Sequence, residues 1–337
     1  MNNIDEKCWP KISIMIAARN EKDNIEICLE SILRLQYPED KIQVLIGDDA
    51  SDDDTFEIIK KFCAANPHFE CFSFINQENV STGKVNILIE LQKKATGDFY
   101  LFTDADVVLP PNWAIFLVNK FKKKVGIVTG VTILKGDSWF AKLQSLEWLY
   151  TFFVIRLVSF FHIPVTSIGN NMAISKVAYL QAKGFETLEN CLVEDFKIFH
   201  KIVEQGFNFV QCFHTDIIIE TIPKNDFFQV LNQRKRWMIG AKQLPFIFQL
   251  FNYSSALYFP LMLGLGFINL SLVINIFIVK YLIVSFLALI ALTKSKQFGL
   301  VVFVPFFDIY LSFIYFSMFF YDLFNAQIEW KGRFYKQ

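Results

Sequence analysis

Short apolar segments alternate with amphipathic ones along residues 1–110. Four segments are typical of buried strands, and three segments between them carry apolar residues at helical spacing. The predicted strands are KISIMIAA (11–18), KIQVLIGDD (41–49), FECFSFIN (69–76) and DFYLFTDAD (98–106); the predicted helices are IEICLESILRL (25–35), DTFEIIKKFCAA (54–65) and KVNILIELQKKA (84–95). This alternation predicts an α/β, Rossmann-like fold with a mostly parallel sheet and right-handed crossovers.

The pattern changes near the C-terminal end, where apolar residues dominate. Residues 256–279 carry no charge, residues 281–292 follow Lys280, and residues 300–321 contain Asp308 as their single charge. Runs of about 20 apolar residues are long enough to cross a bilayer. We therefore predict two or three transmembrane helices after the α/β domain. Asp308 is either a functional residue, a group facing a neighbouring helix, or a group near the membrane interface.

Residues 139–163 show a third pattern, in which three residues that are charged at neutral pH stand among many aromatic residues. The amphipathicity is imperfect. Two interpretations remain open: a helix that lies on the membrane surface, or one that docks on the protein's own spans.

Composition and charge narrow the class of protein. Lys plus Arg and Asp plus Glu both total 33, which gives no excess positive charge for a nucleic-acid partner. Hydrophobic residues reach 53%, and the six cysteines show no zinc spacing. The polar start carries no signal peptide, and the tail WKGRFYKQ is basic, which favours the cytoplasmic side. We expect a multi-pass protein of the cell membrane whose catalytic domain faces the cytoplasm.

Polar residues follow the predicted strands of the parallel sheet. Ligands bind at the carboxyl ends of such strands. These ends are Arg19-Asn20-Glu21, Asp48-Asp49, Asn76-Gln77 and Asp104-Ala105-Asp106. Asp104 and Asp106 offer hard oxygen ligands, which suit Mg²⁺ or Mn²⁺ beside a nucleotide. A solvated turn is the alternative for this pair.

Two further segments of this half carry candidate chemistry. In DDASDDDT (48–55) an EF-hand is excluded, because its glycine and closing glutamate are missing. Asp48 and Asp49 are candidates for base or ribose recognition, whereas the later aspartates are typical of a helix cap. Lys84 begins a helix, where a cation opposes the dipole, so either an anion lies nearby or the lysine is solvated.

Two later segments carry the remaining candidates. Glu194 and Asp195 begin a predicted helix, where the dipole stabilises them; a general base is the functional interpretation. In NQRKRW, Gln233, Arg236 and Trp237 suit diphosphate contact and sugar stacking. The alternative is a basic juxtamembrane helix against anionic lipids, which would include Arg234 and Lys235.

Taken in order, ISIMIAARNE, GDDASDDDT, STGK, FTDADV, IGNNMAIS, VED and QRKRW resemble family-2 glycosyltransferases of the GT-A fold, over residues 10–245. The C-terminal spans resemble those of membrane-bound members, and WKGRFY resembles the tail of some lipid glycosyltransferases. The predicted architecture is a nucleotide-sugar-binding half (1–110), an acceptor and catalytic half (111–250) and a transmembrane region with its tail (251–337).

The resemblance implies a role for each matching residue. It predicts inverting transfer from a nucleoside-diphosphate sugar, with a UDP-sugar favoured, to a lipid or glycan acceptor. The implied site comprises a nucleotide pocket lined by Ala18 and Glu21, Asp49 on the base, Lys84, Asp104 and Glu194 on substrate, Asp104 and Asp106 on the metal, Asp195 as catalytic base, and Gln233, Arg236 and Trp237 near the acceptor and the diphosphate.

Three other functions compete with this one. A processive polysaccharide synthase is the runner-up; such enzymes typically build their channel from more spans, and no span is predicted before the catalytic domain. A sugar-1-phosphate nucleotidyltransferase would share the paired carboxylates but would need no spans. A non-catalytic membrane scaffold would not need every motif position to be filled.

Overall fold

A computed structural model describes residues 9–74, 83–188 and 191–324, together with the backbone of residues 327–330 and 333–336. The chain forms two compact units. The first unit is Met1–Thr132 with Ile155–Thr221, and the second unit is Ile133–Val154 with Ile222–Gln337. The predicted boundaries at residues 110 and 250 stay predictions.

The elements are numbered in chain order. The strands are β1 Ile12–Ala18, β2 Ile42–Asp48, β3 Phe69–Ser73, β4 Phe99–Asp104, β5 Val107–Val108, β6 Val125–Thr129, β7 Val131–Leu134, β8 Met172–Ser175, β9 Asn208–Gln211, β10 Ile218–Thr221, β11 Gln327–Trp330 and β12 Arg333–Lys336. The α-helices are α1 Ile25–Leu33, α2 Thr55–Ala65, α3 Lys84–Lys94, α4 Trp113–Val118, α5 Trp139–Ser159, α6 Lys176–Gln181, α7 Glu194–Glu204, α8 Phe227–Ala241, α9 Phe246–Ala256, α10 Tyr258–Gly266, α11 Leu270–Ser295 and α12 Val304–Phe324. Short 3₁₀ segments cover Glu39–Lys41, Glu186–Leu188, Thr215–Ile217 and Phe298–Phe303.

The large sheet has the strand order β3-β2-β1-β4-β8-β6-β9. Strands β3, β2, β1 and β4 run parallel, as the alternating pattern predicted, whereas β8 runs antiparallel to both of its neighbours. The four predicted strands and three predicted helices of residues 11–95 and 98–106 are confirmed, with ends that differ by a few residues. The predicted site segment Asn76-Gln77 lies outside the described residues.

Apolar packing covers both faces of this sheet. Ile14 and Ile16 of β1 belong to one core cluster, and Met15 between them belongs to the cluster on the opposite face. Because successive side chains of a strand point to opposite faces, burial on both sides requires an unbroken apolar run. This explains why the parallel strands lack polar alternation.

The C-terminal helices of the second unit correct the predicted span boundaries. Leu270–Ser295 and Phe298–Phe324 are long and apolar enough to cross a membrane, and α9 with α10 would make a third such segment if this pair, bent by 61°, counts as one. The predicted run 256–279 is divided among α9, α10 and α11, and Lys280 lies inside α11 rather than between two spans. Hydropathy does not mark these ends. The start of α11 is marked by Asn269, because its side-chain oxygen accepts from the Leu272 amide and caps this helix.

Lys280 is accommodated within α11 because it has a partner. Its amine donates to the Asp308 carboxylate of α12 and, at 2.8 Å, to Ser312 Oγ. Asp308 is almost fully buried. Of the three interpretations of Asp308, the one in which it faces a neighbouring helix is confirmed.

The N-terminal part of α5, which belongs to the second unit, packs on the residues around α12. The Trp139 ring lies 5.1 Å from that of Phe303, and the Tyr150 ring lies 5.3 Å from that of Phe307. For this part of α5, docking on the protein's own apolar helices is confirmed.

Candidate active site

The loops that follow β1 and β2 in the first unit are tied together by hydrogen bonds. The Asp49 amide donates to the Ala18 carbonyl at 2.8 Å, and Arg19 Nη1 donates to the Asp49 carbonyl at 2.6 Å. The Glu21 amide donates to Thr55 Oγ1 at 2.8 Å. Ala18, Glu21 and Asp49 are therefore neighbours at one edge of the sheet, where parallel topology predicted them.

The two aspartates that end β2 have different contacts. Asp48 is fully buried and accepts from the hydroxyl and the amide of Ser51, so its carboxylate stabilises the local turn. Burial raises its pKa above the usual value. Asp49 Oδ1 instead accepts from the Gly83 amide at 3.0 Å. Gly83 has φ +122°, which favours glycine, and it leads directly into α3.

The later aspartates of this segment act at the start of α2, as the capping interpretation expected. The cap is made by Asp53, whose Oδ1 accepts from the amide and the hydroxyl of Thr55. Asp54, in the N-cap position, makes no side-chain capping bond. Desolvation raises the pKa of Asp53, but these hydrogen bonds outweigh it and hold the pKa below its usual value.

Lys84 connects two parts of the predicted site. Its Nζ lies 2.6 Å from Asp104 Oδ1 and 3.3 Å from Glu194 Oε1. The side chain is only 16% exposed, so the solvated interpretation is wrong, and the nearby anions are the site's own carboxylates. Burial lowers the pKa of Lys84, but Asp104 and Glu194 outweigh it, so the pKa is raised and the amine stays charged.

Asp195 lies beside this group at the start of α7. Its Oδ2 accepts from the Gly169 amide at 2.9 Å, and its Oδ1 accepts from the Phe196 amide at 2.8 Å. A Cβ at Gly169 would lie 3.4 Å from Asp195 Oδ2 and 3.5 Å from Lys84 Nζ. Asp195 and Lys84 therefore border the same glycine, and a Cβ there would make ordinary van der Waals contact with both side chains.

The backbone of the segment Asp104-Ala105-Asp106, called the DxD segment here, is fixed from two sides. Cys28 Sγ donates to the Asp104 carbonyl at 3.4 Å, and Thr221 Oγ1 of β10 donates to the Asp106 carbonyl at 3.2 Å. Burial, followed by Asp106, raises the pKa of the Cys28 thiol well above its usual value. Cys28 is thus an unreactive structural thiol.

The described residues include no group of three or more His, Cys, Asp or Glu side chains that would hold a metal ion by themselves. Asp104 and Asp106 still fit a hard divalent cation, because Mg²⁺ and similar ions complete their shell with water and substrate phosphates. The Asp104 side chain is 32% exposed, although one of its oxygens already contacts Lys84. A cation and the lysine would share this carboxylate.

Gln233, Arg236 and Trp237 belong to the second unit, on α8. Between them, Arg234 and Lys235 are buried rather than turned towards lipid, so the juxtamembrane interpretation is wrong for these two. Arg234 makes a two-pronged ion pair with Glu147 of α5. Basic residues in such a run usually face solvent. Here Arg234 lies on a buried face of the helix and pairs with Glu147, a carboxylate far away in the sequence.

The sequence did not reveal Glu147 and Tyr310, the polar side chains grouped around Arg234 of α8. The Tyr310 hydroxyl donates to Glu147 Oε2 at 3.0 Å. A carboxylate within the aromatic segment 139–163 was the one available signal for Glu147, because a charge among apolar neighbours implies a partner.

Comparisons with known proteins identify the family of this chain. The sequence model of the family described as Glycosyl transferase family 21 matches residues 2–337. Poly-beta-1,6-N-acetyl-D-glucosamine synthase of Staphylococcus epidermidis is 27% identical over 236 residues, covering 69% of this chain and 55% of the relative. The synthase of the same name from Staphylococcus aureus strain MSSA476 is 27% identical over 251 residues, covering 72% and 57%. The chain thus spans little more than half the length of the curated relatives it matches.

A mannosyltransferase from Pyrobaculum calidifontis, solved in complex with GDP-Man and Mn²⁺, has a similar structure. The TM-score is 0.58 at 17% identity, and the match covers 94% of this chain and 88% of the other. This likeness confirms the predicted GT-A fold. The glycosyltransferase class is also confirmed, whereas the family-2 assignment is not, since the matching family is family 21.

Proposed function

The chain belongs to glycosyl transferase family 21 and is a glycosyltransferase, and from this premise we propose its reaction. It moves a sugar from a nucleoside-diphosphate sugar to the hydroxyl of a membrane-associated acceptor, a lipid or lipid-linked molecule, with inversion at the anomeric carbon.

The observation that carries this proposal is the position of Lys84. It contacts Asp104 of the DxD segment and Glu194, the neighbour of Asp195, while Asp195 and Lys84 border Gly169. The residues proposed for the donor diphosphate and the residue proposed as the base are therefore adjacent. Transfer needs this adjacency, because the acceptor oxygen must attack the carbon that the diphosphate leaves.

In this proposal Asp195 takes the proton from the acceptor hydroxyl as that oxygen attacks C1 from the face opposite the leaving group. Each of its oxygens accepts one backbone N–H, which fixes the orientation of the carboxylate. Asp49 binds the base, with Ala18 and Glu21 lining the pocket, and Lys84 contributes positive charge near the diphosphate.

Asp104 and Asp106 hold Mg²⁺ or Mn²⁺ in the same proposal. When bound, the ion offsets the negative charge that develops on the departing diphosphate. A UDP-sugar is the proposed donor; the GDP-Man bound in the Pyrobaculum mannosyltransferase belongs to that enzyme.

The membrane-associated acceptor is supported by the second unit. Gln233, Arg236 and Trp237 lie in the same unit as the two helices that are long and apolar enough to cross a membrane. We place the protein in the cell membrane as a multi-pass enzyme whose catalytic residues face the cytoplasm; the basic tail lies on the same side if the spans number two.

A processive polysaccharide synthase is the second candidate, and the name of the staphylococcal relatives favours it. Product length separates the two. A single-addition enzyme makes one glycosylated species, whereas a processive enzyme makes a ladder of long glycans from the same donor.

Nucleotide release from a panel of UDP-, GDP- and dTDP-sugars tests the proposal. Membranes that carry the protein are assayed with Mn²⁺ or Mg²⁺ and again with a chelator, beside Asp195→Asn and the exposed control Asp137→Asn. We expect one donor to react, chelation to abolish release, and Asp195→Asn to lower kcat about 10²–10⁴-fold while donor binding persists.

Full activity of Asp195→Asn would overturn the base assignment alone. Absence of release from every donor, with total lipid added, would overturn the proposed reaction and favour the scaffold.

A further inference from the structure

A closed polar cluster surrounds Arg234 in the middle of α8. The Arg234 side chain is 5% exposed, and its Nε and Nη2 donate to Glu147 Oε1 and Oε2 at 2.8 and 3.0 Å. Tyr310 of α12 donates to the same carboxylate. Arg234 thus connects α8 to α5 and, through Glu147, to one of the apolar helices.

Two further contacts of Arg234 reach the neighbours proposed to bind the acceptor. Its Nη1 donates to Gln233 Oε1 at 2.7 Å. A guanidinium has only donors, so this contact fixes which end of the Gln233 amide faces it. With its oxygen held by Arg234, Gln233 offers its amide nitrogen as a donor.

Trp237 is oriented by the same guanidinium. The Arg234 Cζ lies 4.3 Å from the Trp237 ring centroid, and the Trp148 ring meets the Trp237 ring edge-on with centroids 5.2 Å apart. Trp237 is nevertheless 38% exposed. One part of the indole is thus held by protein, and the rest stays accessible for stacking against a sugar or a lipid-linked acceptor.

A buried ion pair by itself is weak evidence for anything beyond local structure. Arg234 differs because its guanidinium hydrogen-bonds to Glu147 and Gln233 and packs its planar face against Trp237. Lysine lacks the planar fork and cannot make all three contacts. Resting on the proposed function, we propose that Arg234, held by Glu147 and Tyr310, is a positioning residue that sets Gln233 and Trp237 for acceptor binding.

Two variants test this without leaving an unpaired buried charge. Glu147→Leu/Arg234→Met/Tyr310→Phe removes the whole cluster and replaces it with apolar groups of similar size, an exchange that buried pairs often tolerate. Arg234→Lys keeps the charge opposite Glu147 but loses the fork. The matched control is Lys280→Met/Asp308→Leu, which removes another ion pair of the second unit, one that involves α12 but not α8.

The full-length protein is assayed with the donor found in the panel and with vesicles of total lipid extract from the expression host as the acceptor probe. In both test variants we expect the vesicle concentration for half-maximal transfer to rise about tenfold or more. The donor KM should stay within about twofold, because both variants leave Arg236, whose fork suits the diphosphate, and the donor residues of the first unit unchanged. The control should keep both values.

The outcomes separate this proposal from the one on which it rests. The proposal is wrong if Arg234→Lys and the triple variant need the same vesicle concentration as the wild type. It is also wrong if the donor KM rises in parallel, because that indicates a general loss of structure. If the triple variant fails to fold, Arg234→Lys decides alone. If the wild-type enzyme transfers no sugar from any donor, the proposed function fails and takes this inference with it.

Discussion

Lys84 in the first unit and Arg234 in the second are both mostly buried cations, but their surroundings differ. Lys84 lies between two carboxylates, and the nearer one, Asp104, keeps a third of its side chain exposed. Among the described residues, Arg234 pairs with a single carboxylate, Glu147, which is itself 9% exposed and also accepts from a tyrosine. The charges around Lys84 form an open network, which an incoming charged ligand can reach. The charges around Arg234 form a closed network, which is buried within the protein.

The difference follows from what each network does in the proposed reaction. A site that binds a diphosphate and a cation must exchange partners during each turnover, so some of its charges stay exposed. A positioning cluster must keep one geometry throughout, which requires that its donors and acceptors be satisfied by protein. The following changes test this difference.

The largest effect on stability is expected for Arg234→Met alone. This change leaves the Glu147 carboxylate buried without its ion-pair partner, which typically costs about 3–5 kcal/mol. Denaturant unfolding of the full chain in detergent, followed by tryptophan fluorescence, measures it. The triple variant is the control and should lose much less, because it removes both charges; an equal loss would show that packing, not charge, holds the cluster.

A smaller effect, on metal binding, is expected for Lys84→Met. Removing the ammonium 2.6 Å from Asp104 takes away a cation that competes with the metal for this carboxylate. Mn²⁺ should therefore bind about tenfold more tightly in the absence of donor, a change of about 1.4 kcal/mol. Electron paramagnetic resonance of free Mn²⁺ measures this. Lys142→Met, in the second unit, should leave the affinity unchanged; no change in Lys84→Met would contradict the open network.

The smallest expected effect is a pH dependence confined to the first unit. Burial lowers the pKa of His200 on α7, outweighing its contact with the Val165 carbonyl. The folded state therefore holds His200 neutral while the unfolded chain protonates below about pH 6.5. Stability is lost as the pH falls from about 7 through the lowered folded pKa.

His200→Gln tests this by thermal unfolding at pH 7.5 and pH 5.5. The variant should show a flatter pH dependence than the wild type. Arg234 adds no such dependence, since a guanidinium stays charged throughout this range. A wild-type slope that His200→Gln leaves unchanged would assign the titration to another group.

Much of the first unit could be predicted from local sequence patterns. Strand and helix order came from apolar periodicity over windows of a few residues, and the parallel sheet followed from their alternation. Ala18, Glu21, Asp49 and Asp104 could then be placed at one edge, because parallel strands end together. The DxD pair, the helix start at Glu194 and the two or three apolar helices were visible for the same reason: each is a short-range signal.

Tertiary structure alone decided which charges meet. Lys84 with Glu194, Arg234 with Glu147 and Lys280 with Asp308 each join residues far apart in the chain, through the phase and packing of separate helices. Local hydropathy could not show that Lys280 lies within α11, nor that Arg234 is buried, because a charged residue looks solvated until its partner is known. Local sequence patterns therefore predicted the strands and helices, the residues at one edge of the sheet and the class of enzyme. The packing of separate helices determined which ion pairs form.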